Sequence, residues 1–292
     1  MNNRKIINIG LYLFSLLVLI IFVFTISSKY KKFFFPRENS NIVINKEKIE
    51  KNIEKLQSEL NYSPENVKIM VELGIYYFLK GPDFYDKSIN LLYKAWQSGS
   101  TDIRTFYYLG VMYEFLNLYN LAINEYKKFL INIPNDIEVN LRLGNLYYKT
   151  GKLDDAINVF TYVLKKDKNN IIALTNLGFI YFSREEFNDA QEYFLKAKNI
   201  CNKKNLIEPK NLNFYLGRIY FNNKNFETAK KYFEQEYKNY PDNLENNLML
   251  AKTYYELKDL KATLALVQQI QKDYPKHKDL LELQKKIKKN LS

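Results

Sequence analysis

Residues 103–136 and 137–170 are two 34-residue blocks that can be laid one under the other without a gap. Leu109-Gly110 stands over Leu143-Gly144, Tyr113 over Tyr147, Ala122 over Ala156 and Tyr126 over Phe160. Large and small apolar positions therefore recur together, which is the mark of an internal repeat. Extending the frame gives six copies: 67–102, 103–136, 137–170, 171–209, 210–243 and 244–277. The first has Leu73-Gly74, Tyr77, Ser88, Leu92 and Ala95, with two extra residues around Gly81-Pro82. The fourth has Leu177-Gly178, Tyr181, Ala190, Phe194 and Ala197, and carries a five-residue insertion ending near Pro209. Leu216-Gly217, Tyr220, Ala229, Phe233 and Pro241 mark the fifth. The sixth is loosest: Leu250-Ala251, Tyr254, Val267 and Pro275 fit, but Thr263 stands where Ala is expected.

Leu, Gly and Tyr at spacings of one and three share one helical face, and Ala and Phe four apart share the face of a second helix. The Gly or Ala of the first helix and the small residue of the second let the two approach closely. Gly151, in the turn between Lys149 and Lys152, can take the positive φ at which a first helix stops. The expected unit is a helix-turn-helix, and the expected fold class is all-α.

The spacing resembles the tetratricopeptide repeat. That resemblance implies a right-handed α-solenoid of about six repeats with capping helices, working as a protein-protein interaction scaffold. It also implies that the first helices line a concave groove, whose ligand-facing positions carry over to Arg104, Tyr107, Tyr108, Arg142, Asn145, Lys149, Asn176, Phe179, Phe182, Phe214, Tyr215, Arg218, Phe221, Lys252 and Tyr255. Rings with Arg and Asn among them suit a peptide, because they bury area at low entropy cost and bond its backbone. The same rings can also pack between adjacent repeats. The carboxylate clamp of chaperone-binding members is met at Asn145 and Asn176 only, since Leu141, Asn211 and Tyr215 occupy its other positions. The alternative reading is a structural subunit of an envelope or secretion assembly, with repeats packed permanently against neighbours.

Ahead of the repeats, residues 6–26 form a 21-residue run without a charge. At 1.5 Å per helical residue this reaches ~30 Å, the thickness of a bilayer core, so a transmembrane helix behind a short tail of residues 1–5 is expected. The run exceeds the ~7–15 apolar residues of a cleaved signal peptide. Arg4 and Lys5 on one side nearly balance Lys29, Lys31, Lys32 and Arg37 on the other, with a slight lean towards repeats outside the cytoplasm. Residues 27–45 are a juxtamembrane linker, basic and aromatic at first, which suits the headgroup layer. Ile49, Ile53, Leu56 and Leu60 predict an amphipathic capping helix within 46–66, with Asn45 as its N-cap. At the other end, Leu280, Leu281, Leu283, Ile287 and Leu291 predict a capping helix within 278–292.

The formal net charge of +12 favours an acidic partner. The lysines are spread among Asp and Glu along the repeats, and no nucleic-acid motif is present, so nucleic acid is not the expected partner. One Cys and one His leave no ligand set for a metal, and no cofactor is expected. Cys201 reads as a structural thiol. No phosphate-cradling, nucleophile-elbow or zinc-protease motif occurs, and the Asp154-Asp155 pair falls at a helix start, where carboxylates suit the dipole. Catalysis by this chain is not expected. The sequence leaves the oligomeric state open.

Overall fold

The computed structural model describes residues 35–37 and 45–291; the 6–26 run and the rest of the N-terminal segment lie outside the described residues. Among the described residues the regular structure is helical throughout. The helices are α1 (Lys46–Tyr62), α2 (Val67–Lys80), α3 (Tyr85–Gln97), α4 (Arg104–Phe115), α5 (Tyr119–Asn132), α6 (Ile137–Lys149), α7 (Leu153–Lys166), α8 (Ile171–Ser183), α9 (Phe187–Lys204), α10 (Leu212–Asn222), α11 (Phe226–Asn239), α12 (Leu244–Glu256), α13 (Leu260–Asp273) and α14 (Lys278–Leu291). None of them is long and apolar enough to cross a membrane. The chain divides into two compact units, residues 1–125 and 126–292, with the division inside α5.

In the first unit, Asn45 caps α1 as expected, its side chain accepting the Glu47 N–H at 2.9 Å. The helix lays Ile49 and Ile53 on Leu73 and Tyr77 of α2, with Leu56 and Leu60 alongside. Gln57 donates to the Tyr77 hydroxyl at 2.6 Å. Between α2 and α3 the close approach falls at Gly74, where a Cβ would stand 2.8 Å from Leu92 Cγ. Ser88 occupies the small position of α3 at no polar cost, since its hydroxyl donates to the Gly74 carbonyl at 2.7 Å.

The second unit pairs α6 with α7, α8 with α9, α10 with α11 and α12 with α13, and the first helices α6, α8, α10 and α12 also touch in succession. A Cβ on Gly144 would meet Phe160 at 2.7 Å, and one on Gly178 or Gly217 would meet Phe194 or Phe233 at 2.5 Å. Hydrogen in place of a methyl is what lets these rings, all 0% exposed, pack directly against the first helix. Burying each contributes roughly 1.5–3 kcal/mol. Thr263 is fully buried at the expected Ala position because its hydroxyl donates to the Asp259 carbonyl at 2.7 Å.

From α4 onward, each first helix ends in the same turn. Positive φ occurs at Asn117, Gly151, Glu185, Lys224 and Lys258, 34 residues apart or 39 across the insertion. At Gly151 the bonds run from Gly151 N–H to the Tyr148 carbonyl and from Lys152 N–H to the Tyr147 carbonyl. This paired pattern closes a helix and satisfies its last carbonyls. The glycine expectation holds at one of these turns, while the others place Asn, Glu or Lys in the same left-handed conformation.

The insertion is built in rather than looped out. The Glu208 carboxylate accepts from Lys198 and Asn213, and the Tyr240 hydroxyl donates to the Glu208 carbonyl at 2.8 Å. Glu236, fully buried, accepts the Asn211 N–H at 2.7 Å, beside the start of α10, where Asn211 makes no side-chain cap of its own. Burial pushes the Glu236 carboxyl above its ordinary pKa, while the N–H groups of Asn211, Phe214 and Asn213 pull it back. At the C-terminus, α14 buries Leu280, Leu283 and Ile287, but Leu281 is 39% exposed. Leu280, its neighbour in sequence, already faces the core, and a helix cannot bring consecutive side chains to one side.

Candidate functional site

The ring positions of the first unit are not open. Tyr107 and Tyr108 are each 0% exposed. Phe35 lies edge-on to Tyr107 at 5.1 Å and 5.6 Å from Tyr108, and Phe78 of α2 stands 4.7 Å from Tyr108. The Tyr108 hydroxyl donates to the Pro36 carbonyl at 2.6 Å. Arg37 places its guanidinium 5.0 Å from the Phe35 ring centre and 5.2 Å from that of Tyr107. These three residues of the 27–45 linker thus lie against protein rings. Arg104 is held by Asp102 at 2.7 Å and Glu72 at 2.6 Å. Burial works against its charge, and the bonds to both carboxylates more than offset that.

The second unit gathers several of the expected residues. Phe179 of α8 lies 5.0 Å from Tyr215 of α10, Phe182 lies 4.7 Å from Tyr215, and Phe214 lies 5.2 Å from Tyr215. The Arg218 guanidinium stands over this group, 4.9 Å from Phe182, 5.7 Å from Phe214 and 6.0 Å from Tyr215. Phe179, Phe182 and Tyr215 remain partly exposed, whereas Phe214 is buried. Burial raises the Tyr215 phenol pKa, with Tyr148 and Glu245 adding to the effect and Arg218 opposing it. Part of the ring set is plain packing. Phe182 rests on Phe187 and Phe221 on Phe226, each at 5.2 Å and each against the first residue of the following helix.

Other expected positions are engaged elsewhere. Lys252 pairs with Asp279 of α14 at 2.6 Å, so it ties the last helix down. Arg142 bonds Glu138 on its own helix at 3.2 Å. Asn176 donates to the Ile172 carbonyl, and Asn211 accepts from Asn243, so neither is arranged as in a carboxylate clamp. Asn145 and Tyr255 are half-buried and Lys149 is exposed. Cys201 is buried, and burial pushes its thiol above the ordinary pKa, as suits a structural residue. A cleft of about 670 Å³ rimmed by Lys165, Lys168, Lys196, Lys203 and Lys204 has no buried polar side chain in its lining. Sequence reasoning missed Phe35, Pro36 and Arg37, and the nearest signal was the run of aromatic and basic residues ahead of Pro36.

Comparison with known proteins follows the same lines. A family model described as TPR repeat matches residues 144–184, and two described as tetratricopeptide repeat match 171–205 and 207–287. No curated protein matches the chain in sequence. Among solved structures, PilF of Pseudomonas aeruginosa superposes with a TM-score of 0.61 at 16% identity, covering 75% of this chain and 97% of that one. A tetratricopeptide repeat protein from Parabacteroides merdae gives 0.57 at 15% identity, with 77% and 86% covered. PilW, a type IV pilus biogenesis factor, gives 0.55 at 18% identity, with 74% and 97% covered. At such identities the likeness speaks for the fold alone. The fold is an all-helical tetratricopeptide-like solenoid, and the three model matches between residues 144 and 287 support the tetratricopeptide repeat family for this chain.

Proposed function

We propose that the chain is a membrane-anchored interaction scaffold: residues 6–26 hold it in the bilayer, and the repeats within 67–277 bind a partner protein or peptide along their first helices. The observation that carries this reading is the group of Phe179, Phe182 and Tyr215, partly exposed, with the Arg218 guanidinium over Phe182 and Tyr215. Arg218 makes no ion pair among the described residues, so its charge is available to an incoming carboxylate while the rings take an apolar side chain. The partner is therefore an acidic peptide with an apolar anchor. Arg142, already bonded to Glu138, contributes less to it than Arg218 does.

The test uses the full-length chain in detergent, with bound proteins cross-linked and identified by mass spectrometry, and then remeasured with variants. Phe179→Ala and Tyr215→Ala should each weaken binding by ~2 kcal/mol at every salt concentration, whereas Arg218→Ala should act chiefly at low salt. The parent chain should also stay with membranes through a carbonate wash. Equal binding by all three variants, with helicity intact, would hand the case to the structural-subunit reading. Release by carbonate would remove the anchor.

A further inference from the structure

The ring face of α2 and α4 treats residues 35–37 as a binding site treats a ligand. Phe35 belongs to no helix, yet it is only 5% exposed. Its ring is gripped by Tyr107 and Tyr108, with Phe78 behind Tyr108. The next residue is held by its main chain, through the Tyr108 hydroxyl and the Pro36 carbonyl. Burial keeps that phenol well above its ordinary pKa, with Glu72 and Asp102 adding to the effect and Arg104 and Arg37 opposing it, so the hydroxyl stays a donor. Arg37 then lies over the ring faces of Phe35 and Tyr107. Ring, carbonyl and guanidinium are read in sequence by three kinds of contact.

We propose that this face is a receptor for an extended aromatic-Pro-Arg segment, that Phe35-Pro36-Arg37 of this same chain is its built-in occupant, and that a partner reaching the face must carry the same chemistry and displace it. The segment is suited to the task. Proline fixes its own φ and biases the preceding residue towards extended backbone, so little freedom is lost on docking. Residues 38–44 tether it to α1, and a link of seven residues gives an effective concentration of order mM. A competing peptide of ordinary affinity would be held off by such a tether. The proposal does not depend on what the rings of the second unit bind.

The probe is a fluorescein-labelled peptide with the sequence of residues 35–39, Phe-Pro-Arg-Glu-Asn, titrated into the full-length chain in detergent and read by anisotropy. With the built-in occupant removed by Phe35→Ala, the peptide should bind about tenfold tighter or more than it does to the parent. Adding Tyr108→Phe, which keeps the ring and deletes the bond to the Pro36 carbonyl, should weaken that gain several-fold. Tyr215→Ala, in the other unit, should leave it unchanged. Indistinguishable titrations of the parent and Phe35→Ala, whether both bind or neither does, would overturn the proposal and leave Phe35 as a simple apolar cover. Sensitivity to Tyr215→Ala would overturn it as well, by moving the peptide to the other rings.

Discussion

Two ring faces, one in each compact unit, meet opposite fates. Around α4, Tyr107 and Tyr108 are fully buried because Phe35 and Pro36 lie on them. Around α8 and α10, Phe179, Phe182 and Tyr215 stay partly exposed, and what lies over Phe182 and Tyr215 is Arg218 from α10 itself. In both places a guanidinium sits about 5 Å above a ring, 5.0 Å for Arg37 over Phe35 and 4.9 Å for Arg218 over Phe182. The difference lies in where the cover comes from. A repeat can display rings and chain outside the repeat frame can close them off, so an aromatic position in the frame is either a binding surface or a covered seam according to its neighbours.

The largest expected effect tests that difference directly. Tyr108→Ala removes a fully buried ring together with its bond to Pro36, and should lower the free energy of unfolding by about 3 kcal/mol or more. Tyr215→Ala, removing a half-buried ring, should lower it by roughly half as much. Denaturant melts of both variants, followed by far-UV circular dichroism, give the comparison. Equal losses would mean that the two faces are covered to the same degree in solution.

A second contrast lies beneath the rings, where the first helices meet the second. A Cβ on Gly178 would press within 2.5 Å of Phe194, whose ring is held between Phe179 at 5.3 Å and Tyr215 at 6.0 Å. A Cβ on Gly74 would press on Leu92, an aliphatic side chain that can turn about its own bonds. Alanine restores ~1 kcal/mol of helix preference in either case, and overpacking removes about 1–3 kcal/mol where the neighbour cannot yield. Gly178→Ala should therefore destabilise by up to about 2 kcal/mol, and Gly74→Ala should cost less. Thermal melts giving the reverse order would show that Leu92 is the more rigidly held of the two.

Much of the helical architecture was legible in the sequence, since Leu143-Gly144 over Leu177-Gly178, with Phe160 over Phe194, states both the helix faces and their point of contact. Thr263 looked like a lapse from the frame and is a satisfied one, because a hydroxyl bonding back to Asp259 can be buried as safely as a methyl. What could not be read was whatever the frame does not repeat. The contact between Tyr108 and Pro36 spans 72 residues, and no spacing rule links them. Glu236 stands at the frame position that Phe129, Val163 and Ala197 fill with apolar groups, and the spacing alone does not show that its carboxylate would be buried there accepting the Asn211 N–H at the start of α10. Nor could residue type say that Lys252 would be claimed by Asp279. Repetition fixes the scaffold, while single occurrences decide which parts of its surface remain available.

The turns offer the finest comparison. Asn117 in the first unit takes φ 59°, and asparagine tolerates the left-handed region because its short side chain can bond locally. In the second unit Gly151 takes φ 74° without strain, but Lys258 is forced to 62°, where an ordinary side chain is disfavoured by roughly 1 kcal/mol. The bonds from Lys258 N–H to the Tyr255 carbonyl and from Asp259 N–H to the Tyr254 carbonyl hold it there. Lys258→Asn should therefore stabilise by a few tenths of a kcal/mol, less than the full strain because Asn is itself only tolerated at positive φ. Gly151→Ala should cost ~1 kcal/mol. No atom lies within 4 Å of a Cβ at Gly151, so that loss would be purely conformational. Matched thermal melts of the two variants check both signs. A lower melting temperature for Lys258→Asn would mean that the lysine side chain supplies a contact large enough to outweigh the strain of its backbone.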